Sequence, residues 1–431
     1  MWEIWIEMVN ELTVEKLRRE CDASFMRCDT TQQLAPLQGI IGQERAVRAL
    51  KFGLGIRERG FNIYVAGFPG TGRRTAVKNF VEEIARVEPV PPDWCYINNF
   101  SNQYEPKALK LPSGKGREFR DDVKSLTENI RTALPKAFES DEYTRKREAT
   151  LQVLENQRKE LVSQLNARVQ QEGFVIQNTS VGLLLVPVIK GKSVNEEEFL
   201  TLPQKVKDAI QEKRERLESE LRNAMRQLLD MEQKIHDALK KLNRDVALYA
   251  IGHLVNALME KYKDAPEVTV YLQDVQNDVL DNIAQFVTRG EPQQQLPFPA
   301  PWMKEDPFKK YEVNVVVDNS NVKGAPVVIE SNPTYQNLFG KTEKEVQLGA
   351  LITDFTMIRG GALHKANNGY LIVPVEELLR SPFSYDGLKR ALKNGQIIIE
   401  ELEARYGFIS TKSLKTQPIP LSVKVILIGD P

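Results

Sequence analysis

A short run of β-forming residues, Asn62-Ile63-Tyr64-Val65-Ala66, enters a glycine-rich turn, Gly67-Phe68-Pro69-Gly70-Thr71-Gly72-Arg73-Arg74-Thr75, and Ala76 to Ile84 leaves it with helical spacing. Strand, glycine loop, helix is the context that a phosphate-binding loop requires. The glycines let backbone N–H groups turn inward on an anion, and the helix N-terminus adds unpaired donors and the positive end of its dipole. Gly67 and Gly72 have the spacing of G-x-x-x-x-G-K-[ST]. The two positions that carry the chemistry differ, however: Arg73 stands where the lysine belongs and Arg74 where a magnesium-holding hydroxyl belongs. Thr75 comes one residue late. The loop reads as a cradle for phosphate, and by itself it does not establish NTP hydrolysis.

At 431 residues, 41% hydrophobic and 27% charged, the chain is long enough for two or three domains, each with its own core. Lys plus Arg equals Asp plus Glu at 59 each, so no global charge steers it to nucleic acid or to an anionic membrane. Cys21, Cys28 and Cys95 form neither a metal-ligand spacing nor an even disulfide set, which fits reduced thiols. Met1 to Glu7 lacks the basic-then-apolar order of a signal peptide. The longest apolar run, Val181 to Ile189, is broken by Pro187 and is far shorter than a membrane span. A cytoplasmic protein without a membrane or specific nucleic-acid partner is expected.

Along the chain, Ala46, Val47, Leu50 and Leu54 mark a helix that starts near Gln43. Beyond the loop helix, Trp94 to Phe100 reads as a strand and Asn102 to Arg117, with Pro106, Pro112, Gly114 and Gly116, as a loop. From about Glu118 to Arg289 the composition is that of long charged helices. From Leu217 through Leu221, Ala224, Leu228, Met231, Ile235 and Ala238 to Leu242 the apolar steps alternate four and three, a heptad repeat that needs a partner helix. Leu151, Leu154, Leu161 and Leu165 supply one in the same register, interrupted by Arg158. Between them, Phe174 to Asn178 and Val181 to Ile189 look like short strands. The prediction is an antiparallel coiled-coil hairpin with a small β-rich tip, a structural arm without chemistry of its own. His236 and His253 on these helices have no second ligand nearby.

A proline-rich stretch, Gly290 to Pro307, links back to a compact region with strands at Tyr311 to Asp318 and Ala325 to Glu330. There Gly361 to Val373 combines a short helix, a turn at Asn368-Gly369 and a buried strand that runs into Pro374-Val375-Glu376-Glu377. In an NTPase such a strand ends in Asp-Glu, one residue holding the magnesium shell and the other polarising water. Proline occupies the aspartate's position here. Glu376 and Glu377 remain candidates, but a glutamate pair that starts a helix is more often a dipole partner, and His364 reads as a structural residue. The closing strand, Val423 to Gly429, leads to Asp430, where a γ-phosphate sensor would sit.

Ile41-Gly42-Gln43-Glu44-Arg45-Ala46, the phosphate loop, Asp318-Asn319-Ser320, Asn332 to Gly340, Gly361 to Asn367 and Val425 to Pro431 together resemble the Lon-related proteases, and more narrowly the Lon-like branch whose AAA+ module is interrupted by a long helical insertion. The resemblance covers nearly the whole chain. It implies an α/β fold: an AAA+-like P-loop parallel sheet with helices on both faces, interrupted by the coiled coil. The expected divisions are 1–117 for the N-terminal segment and first AAA+-like part, 118–290 for the insertion, 291–310 for a linker and 311–431 for the second AAA+-like part. In the family, an AAA+ unfoldase or its relic forms a ring, usually a hexamer, and feeds unfolded or damaged polypeptide to a C-terminal Ser-Lys protease domain. That domain is expected in the full-length protein, since no serine or lysine here is assigned to the dyad. The nucleotide-site positions carried over are Gly67, Pro69, Gly70, Thr71, Gly72, Arg73, Arg74, Thr75, Glu376, Glu377 and Asp430, with ATP or ADP and magnesium as candidate cofactors.

Three readings follow. The leading one is the substrate-gating, AAA+-like portion of a Lon-like protease in protein quality control, with weak or no ATP binding, because Arg73, Arg74 and Pro374 depart from an active ATPase and an arginine is not equivalent to a point-charge lysine. The second is a competent Mg-ATPase that uses Thr75 with Glu376 or Glu377. The third is a non-enzymatic coiled-coil adaptor. Arg380 and Arg390 lie where a trans-acting arginine would, and equally where surface salt bridges form.

Overall fold

In the sequence Gly369-Tyr370-Leu371-Ile372-Val373 every residue is apolar or small, so the strand it forms has two faces to bury, and a parallel sheet covered on both sides is the arrangement that does so. The computed structural model of the chain describes residues 12–18, 20–26, 28–33, 42–56, 58, 60–179, 182–189, 192–194, 198–199, 203–287, 306–347, 350–400 and 414–431. Ile41 of the first motif and most of the expected proline-rich linker lie outside the described residues.

The principal elements are α1 (Glu44–Gly55), β1 (Ile63–Ala66), α2 (Arg73–Ala85), β2 (Asp93–Ile97), β3 (Lys107–Leu111), α3 (Lys115–Phe138), α4 (Asp141–Gln171), β4 (Phe174–Thr179), β5 (Gly182–Ile189), α5 (Gln204–Lys261), α6 (Pro266–Asp281), β6 (Val313–Val317), β7 (Val327–Ile329), α7 (Tyr335–Phe339), α8 (Ala362–Lys365), β8 (Gly369–Pro374), α9 (Val375–Arg380), α10 (Ser384–Asn394) and β9 (Val423–Gly429).

Four strands form a parallel sheet in the order β1-β9-β8-β7, with Tyr64 opposite Leu427 and Ile372 opposite Ile426. Alternation along the strands assigns the faces. Tyr370, Ile372, Ile426 and Ile428 pack on Leu50 and Leu54 of α1 and on Val77, Val81 and Ala85 of α2. Leu371, Val373 and Val425 pack on the other side against Leu338, Leu363, Leu378 and Leu388 from α7 to α10. Lys424 ties β9 to α1 by donating to the carbonyls of Gly53, at 2.6 Å, and of Ile56, where the helix leaves acceptors unpaired. Burial lowers its pKa from the ordinary lysine value.

A second sheet is antiparallel, in the order β3-β2-β6. Residues 102–117, expected as a loop, contain β3 and the first turn of α3. Leu109 and Leu111 alternate there, and their burial outweighs the prolines and glycines on either side, which end up as the turns. Cys95, Ile97, Leu109, Leu111 and Val313 face the base of the arm, built from α3, the last turns of α5 and α6. The thiol of Cys95 is buried, and burial raises its pKa. On the opposite face Trp94, Tyr96 and Val317 pack on Phe355, Ile358, Ile399 and Ile419. Each of these large side chains contributes about 1.5–3 kcal/mol on burial.

The arm follows the heptads. α4 and α5, 31 and 58 residues long, run antiparallel: Tyr143 bonds to Asn243 at 2.9 Å, Arg168 to Glu220 at 2.9 Å and Lys213 to Glu172 at 3.1 Å. Leu217, Leu221 and Ala224 are buried, and the later heptad positions to Leu242, like Leu151, Leu154, Leu161 and Leu165, are half-buried. Every other side of this pair is exposed or nearly so, which is why the helices need each other. At 1.5 Å per residue α4 spans about 45 Å. β4 and β5 close the far end, with Phe174 and Leu185 buried on Val169, Leu217 and Leu221.

The end of α2 is locked to the turn that precedes β7. Ala325 N–H donates to the Ala85 carbonyl at 2.8 Å, and Gly324 has φ +83 with room for no side chain, since a Cβ would lie 2.0 Å from that same oxygen. Replacing Gly324 by Ala is expected to cost about 3 kcal/mol or more, from left-handed strain plus displacement of backbone. Gly55→Ala, where a Cβ meets nothing, should stay within about 1 kcal/mol of the parent. Urea unfolding of both variants checks this, and equal midpoints would refute it.

Candidate functional site

β1 delivers the glycine loop to the carboxyl end of the sheet, where α/β proteins place ligands. Gly67 N–H donates to the Gly429 carbonyl at 3.2 Å, so the loop starts paired to the end of β9. Thr71 closes the turn: its N–H and its hydroxyl both donate to the Phe68 carbonyl, at 3.4 and 2.8 Å. Phe68 and Pro69 are exposed at the apex. Gly72, with φ +75, is the N-cap of α2 and accepts from Ala76 N–H at 2.9 Å.

Arg73 opens α2, and its guanidinium turns back beneath the loop. Nη1 donates to the carbonyls of Gly67 and Gly429, and Nη2 donates to Asp430 Oδ1 at 2.9 Å. The Arg73 side chain is 18% exposed, whereas that of Asp430 is 57% exposed, so the pair sits at the rim of the site with its cation inside. Asp430 is held at two further points: its N–H donates to Glu376 Oε1 at 2.8 Å, and its carbonyl accepts from the Tyr64 hydroxyl at 2.5 Å. Gly429 lies between them. A Cβ there would be 2.3 Å from Val375 Cγ1 and 2.7 Å from the Tyr64 hydroxyl.

The fold thus brings Gly67, Arg73, Glu376 and Asp430 together from both ends of the chain. Tyr64 and Gly429 join them without having been singled out by spacing. The available signal was that Tyr64 alternates away from the half-buried Ile63 and Val65 side of β1. Other candidates stand apart. Glu377 pairs with Arg380 at 3.0 Å, Arg390 with Glu400 at 3.7 Å, and Arg74 donates to Ser331 Oγ at 2.8 Å, all near the surface. Such exposed pairs contribute at most about 1 kcal/mol. Thr75 lies on the exposed first turn of α2.

The loop has the glycine turn and helix start of a phosphate cradle, but the side chains do not suit magnesium. Pro374 ends β8 where a carboxylate would stand, Arg74 has no lone pair to offer a metal, and the carboxylates of Glu376 and Asp430 are engaged by a backbone N–H and by Arg73. Among the described residues no three His, Cys, Asp or Glu side chains converge as a metal set.

The remaining motif blocks are joints. Thr334 caps α7 by accepting from Asn337 N–H at 3.2 Å. Gly361 lies against the Leu338 carbonyl with no room for a Cβ, and His364 Nδ1 accepts from Gly361 N–H at 3.3 Å. The Nε2 of this histidine is buried without a partner, and burial pulls its pKa down to about 4, so the ring is neutral. Asn319 N–H and Gly116 N–H both donate to the buried Asp93 carboxylate at 2.8 Å, which pins the start of α3 to the end of β6.

Strand order, glycine loop and two-sided helical cover define an AAA-like α/β module. The family model described as the LonB-like AAA domain matches residues 323–431, and that described as the Lon-like LonC helical domain matches residues 93–126. These matches are to models of the Lon-like protease family and take in about a third of the chain. The first takes in β7, β8 and β9, and the second β2, β3 and the start of α3. The loop at 67–75 and the arm lie outside both. No curated protein matches the chain. Among the described residues no helix is long and apolar enough to cross a membrane.

Because folded His364 stays neutral down to about pH 4 while an unfolded histidine takes a proton near 6.5, its contribution to stability is complete above pH 6.5 and is lost as pH falls from 6.5 toward 4. The difference is on the order of 3 kcal/mol. Urea unfolding of the parent and of His364→Gln between pH 7 and 4.5 should show a shallower loss in the variant, and parallel pH profiles would refute it.

Proposed function

We propose that the chain is the substrate-handling, AAA+-like part of a Lon-like protease, assembled in the cytoplasm as a homo-oligomeric ring, a hexamer, and binding ATP weakly or not at all. In this reading residues 1–117 and 311–431 are the two parts of the AAA+-like domain around the insertion 118–290, with 291–310 between them. Unfolded or damaged polypeptide is admitted by the arm and passed to a C-terminal Lon-type protease domain of the full-length protein. AAA domains are a nucleotide-binding class, and ATP or ADP, when bound, would supply an anion for the loop N–H groups.

The observation that carries the reading is the arm itself: helices of 31 and 58 residues project from an AAA-like body and end in an apolar sheet, and nothing on them resembles a catalytic set. The engagement of Arg73 by Asp430 supports weak nucleotide binding. A competent Mg-ATPase has less support, since Arg74 and Glu377 are each paired away from the loop.

Two measurements test the proposal. Replacing residues 141–242 by a short Gly-Ser linker should leave the base core and the number of subunits in the oligomer unchanged while binding of a fluorescent, permanently unfolded polypeptide falls at least about tenfold, since linkers of this kind impose little strain. Retained binding would remove the gate. Calorimetric titration of the chain with millimolar ATP and magnesium should give no saturable heat, with Gly72→Val as reference. Saturation in the parent that disappears in the reference would instead support an ATPase.

A further inference from the structure

In a glycine loop that leads into a helix, an anion is bound by backbone N–H groups and by a cation near the helix start. Here that cation already has its anion. Arg73 spends Nη2 on the Asp430 carboxylate, at 2.9 Å, and Nη1 on the carbonyls of Gly67 and Gly429, which belong to the loop and to the strand beside it. Asp430 is not a freely turning surface residue: Glu376 holds its N–H at 2.8 Å and Tyr64 its carbonyl at 2.5 Å. Gly429 next to it has no space for a side chain, so the backbone that aims the carboxylate is fixed as well.

Resting on the reading of a nucleotide-poor AAA-like module, we propose that Asp430 is an internal ligand of the phosphate loop, an autoinhibitory contact that occupies Arg73, and that a polyphosphate engages the loop only by displacing it. A guanidinium presents the same planar fork to carboxylate and to phosphate, so the two compete for one partner. The carboxylate has the advantage of being tethered, and its effective concentration at Arg73 is high. Displacement frees the Asp430 side chain from the loop and leaves Glu376 and Tyr64 holding its backbone. Occupancy of the loop is thereby linked to the position of α9, which carries Glu376.

The test is titration of the full chain with sodium tripolyphosphate, and separately with ATP and magnesium, in the parent, Asp430→Asn, Asp430→Ser, Arg73→Ala and the double variant Arg73→Ala/Asp430→Asn, with thermal melts alongside. Both Asp430 variants should bind tripolyphosphate about tenfold or more tightly than the parent, and the gain should vanish in the double variant. Unchanged affinity in Asp430 variants that melt like the parent overturns the proposal, as does a gain that survives without Arg73. Loss of cooperative melting in both Asp430 variants also overturns it, by making the contact a structural brace. The parent's own ATP affinity tests the nucleotide-poor reading separately: tight parental binding with a raised variant ratio removes only that reading, and tight binding with an unchanged ratio removes both.

Discussion

Both faces of the β3-β2-β6 sheet must be buried, and the rest of the molecule is arranged to meet that requirement. One face takes its cover from the helices at the base of the arm, the other from the segments between α7 and α8 and between α10 and β9. Strands with apolar residues on both faces lose the hydrophobic contribution of one face if either cover leaves. The arm is therefore anchored through a core and not through a flexible tether. The buried Asp93 adds direction to that anchor: its two oxygens accept from the start of α3 and from the turn after β6, and a buried carboxylate without such donors would be costly.

The same turn reaches the phosphate loop by a short route. Asn319 donates to Asp93 and to the carbonyls of Pro91 and Pro92, and a few residues on Ala325 binds the last carbonyl of α2, the helix that the loop opens. Loop, helix, turn and arm base are consecutive rigid contacts. This continuity gives the arm a route of contacts to the site, although its own surface is a helix seam, solvated charge and scattered exposed apolar residues such as Val153, Leu184 and Leu229. At the site itself electrostatics dominate, because Arg73 is largely enclosed and its donors must be satisfied where they lie.

Much of this was legible in the sequence for local reasons. The strand, glycine turn and helix of 62–84 are set by residues in succession, and the heptads from Leu217 to Leu242 are set by period, so the loop, the arm and its antiparallel partner were readable without any long-range information. The motif blocks were also readable as markers, but their contacts were not. His364 reads as structural from sequence, and the fold gives the packing itself: Gly361 approaches the Leu338 carbonyl and His364 sits neutral in the core. The strand at 107–111 was hidden by flanking prolines and glycines, since local turn propensity says nothing of the partner strand that overrides it.

The sequence by itself determined the class of loop, the heptad arm and the apolar strands of a two-sided sheet, since each depends on residue type at short spacing, where backbone geometry fixes which side chains share a face. Only the tertiary structure decided what Arg73 does. Its partners, Gly67, Gly429 and Asp430, include two that lie more than three hundred residues away, and they meet it because β1 and β9 are neighbours in a parallel sheet. Likewise Glu376 and Glu377 are indistinguishable in sequence, and the first turn of α9 points one at the Asp430 N–H and the other at Arg380. Pairing between distant strands has no signature in either strand alone, and so the chemistry of the loop rests on the fold.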